Sequence, residues 1–186
     1  MDDDGRTVAV PGQPDAMTTP HLADVPVTTQ RELRRRWAAV LEPPVFAARS
    51  MWIMWLRADG STLPTLVPID ELPREPDART TTGLVDLAGT VADEHTDGIG
   101  HVAFALCRSG QPTCSGNDQA WADGLQRAAG EAGLSSWSLH LAAGGAVLPL
   151  VVAPPWPRGD GEEQDRPGPA PGISRRSSAP RRARRA

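Results

Sequence analysis

The residues of this chain with the means to do chemistry cluster around one short stretch. Cys107 closes the apolar run HVAFALC, Cys114 follows seven positions on, and Ser115 and Asp118 come next at Ser-x-x-Asp spacing. Cys114 stands just before an expected helix start, where the helix dipole lowers a thiol pKa, and Arg108 adds positive charge. With His140 as a base this would outline a nucleophilic thiol, but no local signature joins the two residues. An exposed, unreactive Cys is the simpler reading. Cys107, Cys114 and Asp118, with His95 or His101, also carry metal-ligating atoms. The spacing C-x6-C is not a zinc signature, however, and a strand from His101 to Cys107 would hold its ends ~20 Å apart. The simpler reading of Cys107 is a small buried hydrophobe. The free N–H groups of the Ser115 helix could hold an anion. Ser115 and Asp118 themselves are placed to occupy those donors, and no Gly-rich phosphate fingerprint is present.

The elements around this stretch follow from pattern. Residues 28–42 form an expected helix: Thr29 and Glu32 have capping-box spacing, Leu33, Trp37, Val40 and Leu41 share a face, and Arg31, Arg34, Arg35 and Glu42 lie away from it. Pro43 and Pro44 end it. MWIMWL at 51–56 is apolar on both alternating faces, as in a strand buried on both sides. A turn at 58–61 with Gly60 leads to a return strand over 63–69, whose Pro64 and Pro68 place it at a sheet edge. DELPREPDAR at 70–79 reads as a loop, Gly83 to Glu94 as a helix, and His101 to Cys107 as a strand. The Ser115 helix carries Trp121, Leu125, Ala128 and Ala129 on one stripe and ends at Gly130 and Gly133. Strands over 134–142 and 147–152 flank a Gly144-Gly145 turn. Trp37, Trp52, Trp55, Trp121 and Trp137 are expected core residues, and Trp156 an anchor for the following segment.

This order predicts an α/β fold with a single mixed sheet flanked by helices. It spans residues 28–157, between a disordered arm over 1–27 and a Pro/Gly linker with an Arg-rich tail over 158–186. No internal repeat is evident. The 19 basic residues are all Arg. Arg175, Arg176, Arg181, Arg182, Arg184 and Arg185 sit in the last stretch without an acid, so the body is acidic although the net charge is only −4. That tail is a candidate for weak, salt-dependent contact with a polyanion. The acidic start has no apolar signal segment, and no apolar stretch approaches the ~20 residues of a spanning helix. With Cys107 and Cys114 as the only cysteines, there is no disulfide framework, and a cytoplasmic chain without a membrane span is expected.

From Ala105 to Leu150 the sequence resembles the RadC-like branch of the JAB/MPN (JAMM) metallo-isopeptidases, whose core is a three-layer fold of the cytidine-deaminase type. In that family a buried strand ends in His-x-His, and seven residues later comes Ser-x-x-Asp. The two His and the Asp hold zinc, the Ser stabilises an oxyanion, and an upstream Glu acts through the metal-bound water. Here Ala105-Leu106-Cys107 stands where His-x-His would be, and Ser115-Gly116-Asn117-Asp118 matches Ser-x-x-Asp. The loop SGQPTCS is similar to the family's Ser-Gly-x-Pro-Thr-x-Ser. His140-Leu141-Ala142-Ala143-Gly144 resembles the His-led strand before its final hairpin, and Glu71 is the counterpart of the upstream Glu.

What the resemblance implies is a site with lost ligands. Ala105 offers no donor atom, which leaves Cys107 and Asp118 where a catalytic zinc takes three protein ligands and a water. The resulting expectation is a non-catalytic binding or adaptor module without a cofactor. It would act on a protein partner through Arg108, Ser109, Gly110, Ser115 and Asp118. The alternatives are a hydrolase with a remodelled Cys107/Asp118 site, using Glu71, Ser115 or His140 as catalytic groups with zinc, and a nucleic-acid accessory protein acting through the Arg tail.

Overall fold

The computed structural model describes residues 25–96 and 98–152. The remainder of the arm, Trp156 and the Arg-rich tail lie outside the described residues. Eight elements follow in the order α1 (Gln30–Val40), β1 (Ser50–Leu56), β2 (Thr62–Ile69), α2 (Ala78–Thr96), β3 (His101–Cys107), α3 (Gly116–Ala132), β4 (Trp137–Ala143) and β5 (Ala146–Val151). The five strands form one mixed sheet in the order β2-β1-β3-β4-β5. β1 runs antiparallel to both β2 and β3, β3 and β4 are parallel, and β5 returns antiparallel to β4. The ends of β3 and β4 therefore meet the starts of β1 and β5 at one end of the sheet.

Strand alternation divides the core between two faces. Val102, Phe104 and Leu106 of β3 turn to α2 and α3, packing with Leu84, Val85, Ala88, Trp121 and Leu125. Ala103, Ala105 and Cys107 turn to α1, with Leu33, Trp37, Met54 and Leu56. Every residue of β3 and β4 is buried, including Ser138 and His140, which alternate with the apolar side chains of β4. The two strands carrying internal prolines, β2 and β5, are the edges.

Local chemistry sets the element ends. Thr29 Oγ1 accepts from Glu32 N, and the Glu32 carboxylate accepts from the Thr29 and Thr28 amides, at 2.9–3.2 Å. Val40 closes α1 but is 37% exposed, so the α1 apolar face is narrower than its pattern implied. Arg36 is buried there instead, donating to Thr62 Oγ1 and to Val25 O. Val27 belongs to the core and donates its amide to Gly60 O at 2.8 Å. α2 begins at Ala78, five residues before the expected start, because Asp77 caps it by accepting from Thr80 N and Thr80 Oγ1 at 2.8 Å. Trp55, Trp121 and Trp37 are fully buried, whereas Trp52 is only partly so.

Candidate functional site

The Ser-x-x-Asp pair forms the start of α3 and lies against the end of β3. Ser115 is the N-cap, and its hydroxyl accepts from Asp118 N at 3.3 Å. Asp118 returns the bond twice, accepting from Ser115 N at 2.8 Å and Ser115 Oγ at 2.7 Å. The capping box is therefore complete, but Asp118 does more than cap. Its side chain is fully buried, and Arg108 grips it. Nε lies 2.9 Å from Oδ1 and 3.1 Å from Oδ2, and Nη2 lies 2.6 Å from Oδ2. Arg49, just before β1, adds a longer contact from Nη1 to Oδ1 at 3.4 Å. Burial alone would raise the Asp118 pKa. The bonds from Arg108 and Ser115 outweigh it and hold the carboxyl well below the usual carboxylate range.

Arg108 also shapes the loop between β3 and α3. Nη1 donates to Ser109 O at 3.0 Å and Gln111 O at 3.1 Å, and Nη2 donates to Thr113 O at 2.9 Å. Together with the bonds to Asp118, all five guanidinium donors are engaged inside the protein. Arg108 thus holds the loop through its own hydrogen bonds. The loop it holds exposes Ser109, Gly110, Gln111, Thr113 and Cys114. The β4–β5 turn buttresses it. A Cβ on Gly144 would lie 2.7 Å from Pro112 Cδ and 2.8 Å from Gly110 O, so only glycine allows this approach.

The other expected site residues are distributed around this pair. Cys107 is buried on the α1 face, and burial pushes its thiol up to about 12, against a bond from Ser50 that lowers it and with the Asp70 charge adding to the rise. It is a protonated core thiol at neutral pH. Cys114 is exposed at the loop's end. Glu71 is exposed just beyond β2, with φ 57°, beside the Leu72 amide that donates to Arg49 O at 3.1 Å. None of the described hydrogen bonds joins Glu71 to Asp118. Among the described residues, no group of three or more His, Cys, Asp or Glu side chains is placed to hold a metal ion. Ala105 is without a donor, and Asp118 is already saturated.

His140 lies opposite Ala105 in the β3–β4 register and is fully buried on the α1 face. Neither ring nitrogen has a hydrogen-bond partner among the described residues. Burial, with the charge of Arg34, pushes its pKa down to about 4. His101 starts β3 on the same face, with Nδ1 3.0 Å from Ser136 Oγ and Nε2 2.9 Å from Ser138 Oγ. Burial, with the neighbouring His140, pushes it down to about 3. Both are neutral core imidazoles, and none of the described hydrogen bonds joins His140 to the exposed thiol of Cys114.

Sequence reasoning did not single out Arg49 or the role of Arg108 as a staple. Arg49 is 69 positions from Asp118 and reaches it only because β1 lies beside β3. Comparison with protein-family models, with curated protein sequences and with solved structures finds no match to this chain.

Proposed function

We propose that this chain is a non-catalytic binding module on a JAB-like core, in which an arginine–aspartate pair takes the place of a metal centre. The observation that carries the reading is the saturation of Asp118 by Arg108, Arg49 and Ser115. In the resemblance Asp118 is the surviving ligand. Here the guanidinium of Arg108 gives its carboxylate the compensating positive charge that zinc would supply. The element order supports the same reading: a hairpin, a helix, a buried strand, the Ser-x-x-Asp helix and a final hairpin whose first strand carries His140. The residues present do not fit zinc, because Ala105 has no donor, Cys107 keeps its proton and Asp118 is engaged.

The binding surface in this reading is the loop from Ser109 to Cys114. Its backbone is held by one buried guanidinium and by the Gly144 turn, so little ordering entropy is lost when a protein partner docks. A hydrolase reading is not favoured, since its best residue, Cys107, is enclosed as a protonated thiol.

Restoring the missing parts tests the reading. The triple variant Ala105→His, Cys107→His, Arg108→Ala should bind zinc and melt at a higher temperature with zinc than without it. The wild type should show no such shift. The double variant Cys107→His, Arg108→Ala guards against misfolding by His at position 105, and should bind zinc more weakly. If both variants fold and neither responds to zinc, the site has no metal-centre geometry and the JAB-like reading fails.

A further inference from the structure

The opposite end of the sheet carries a feature that does not depend on the Arg108–Asp118 site. The C-terminal parts of α2 and α3, Gly98, Gly100 and residues 132–136 enclose a cleft of about 340 Å³. Asp86 and Asp93 of α2 line it, two turns apart on one helix face. The Asp93 carboxylate leans over Gly98, where an added Cβ would lie 3.6 Å from its Oδ1. Both carboxylates are exposed, and neither makes an ion pair among the described residues. The two helices also end here, and helix C-termini carry partial negative charge. α3 has no basic residue in its last turn and α2 has only His95. The cleft is therefore a negative concavity with little cationic compensation of its own.

Chain direction supplies an occupant. β5 starts at the Arg108 end and runs back, so that Val151 pairs with Leu139 near the start of β4. Ser135 and Ser136, immediately before β4, line the cleft. The chain thus leaves the sheet at the cleft's own end. Beyond it, residues 173–186 carry Arg175, Arg176, Arg181, Arg182, Arg184 and Arg185 and no acid. Residues 153–172 can extend by ~3.3 Å each, ample to bring that segment back.

We propose that the Arg-rich segment 173–186 docks in cis into this cleft, with guanidinium groups on Asp86, Asp93 and the carbonyl end of α3. A guanidinium suits such a lining, because its planar fork can bond carboxylate and carbonyl oxygens together. Arg108 does this in the same molecule with Asp118 and three loop carbonyls. Docked, the segment is withheld from polyanions, and competition by salt or a polyanion releases it.

The full chain is the object to test, by amide NMR and by heparin binding at low salt. Replacing the six Arg by Gln should move the amide signals of Gly89, Gly98 and Gly133 to Ser136, and high salt should move them the same way in the wild type. Asp86→Asn with Asp93→Asn should raise heparin affinity at least about fivefold, because the segment is freed. Glu42→Gln with Glu75→Gln, which removes equal charge elsewhere, should leave it nearly unchanged. Unmoved cleft amides overturn the proposal. So does an equal rise in the Glu variant, which reports only net charge. An unchanged heparin affinity in the Asp variant also overturns it, and would place the Arg on Asp160, Glu162, Glu163 and Asp165 instead. Amide shifts that grow with protein concentration overturn docking in cis and assign the segment to a second copy.

Discussion

At the scale of single residues, the chain's most consequential interaction is a buried charge pair whose worth depends on both members being present. Removing one partner strands the other in a low-dielectric setting, which typically costs about 3–5 kcal/mol. Arg108→Met should therefore destabilise the protein by roughly that amount in denaturant unfolding, because Asp118 is fully enclosed. Adding Asp118→Leu should recover part of the loss, giving a coupling of at least about 2 kcal/mol. A loss below about 1 kcal/mol for Arg108→Met would mean that the pair behaves as a surface salt bridge. The two buried histidines predict a different signature. Their folded pKa values, about 3 and about 4, lie below the ordinary 6.5 because burial disfavours the charged form. The unfolded chain binds the extra protons, so their stabilisation is complete above pH 6.5 and is lost as pH falls toward 4. Two protons that only the unfolded chain takes up between pH 6.5 and 4.5 lower stability over that window by an amount on the order of a few kcal/mol. Melting temperature should fall between pH 6.5 and 4.5, before most carboxylates titrate. His140→Leu should flatten that slope without a large cost at pH 7, because no hydrogen-bond partner is lost. An unchanged slope in the variant would contradict the assignment.

At the scale of elements, the helix caps carried the clearest sequence signals and give the simplest tests. Thr29→Ala should cost about 1 kcal/mol, the ordinary worth of an N-cap hydroxyl. Ser115→Ala should cost clearly more, since the Ser115 hydroxyl also donates to the buried Asp118. Equal losses in thermal or denaturant unfolding would detach the cap from the charge pair. The strands were legible for a physical reason. β1 is covered on both faces and reads as an unbroken apolar run, and the prolines of β2 mark an edge, whereas β4 alternates in sequence and its two-sided burial was not legible. The start of α2 was hidden because its first turn, Ala78 to Thr82, is Thr-rich and resembles a loop in propensity. The signal available was Asp77 three residues ahead of Thr80, a cap that uses carboxylate and hydroxyl together. The exposure of Val40 was equally hidden, because periodicity marks a face but not how far the sheet beneath it extends.

At the scale of the whole molecule, the mixed sheet between α1 and the α2/α3 pair brings Arg49, Arg108, Ser115 and Asp118 to one sheet end. The acidic cleft, and the exit of the chain, lie at the other. Ser115 and Asp118 could be read from their spacing alone, whereas the engagement of Arg108 and Arg49 could not, because it depends on loop curvature and on β1 lying beside β3. The described residues contain no helix long and apolar enough to cross a membrane. The central claim is that an arginine, not a metal, compensates Asp118. It is tested most directly by the metal content of the full chain, purified without a His tag, dialysed mildly, and measured by elemental mass spectrometry. The account predicts far less than one zinc per chain, unchanged by Asp118→Ala. About one zinc per chain, lost in Asp118→Ala or Cys107→Ala, would contradict it.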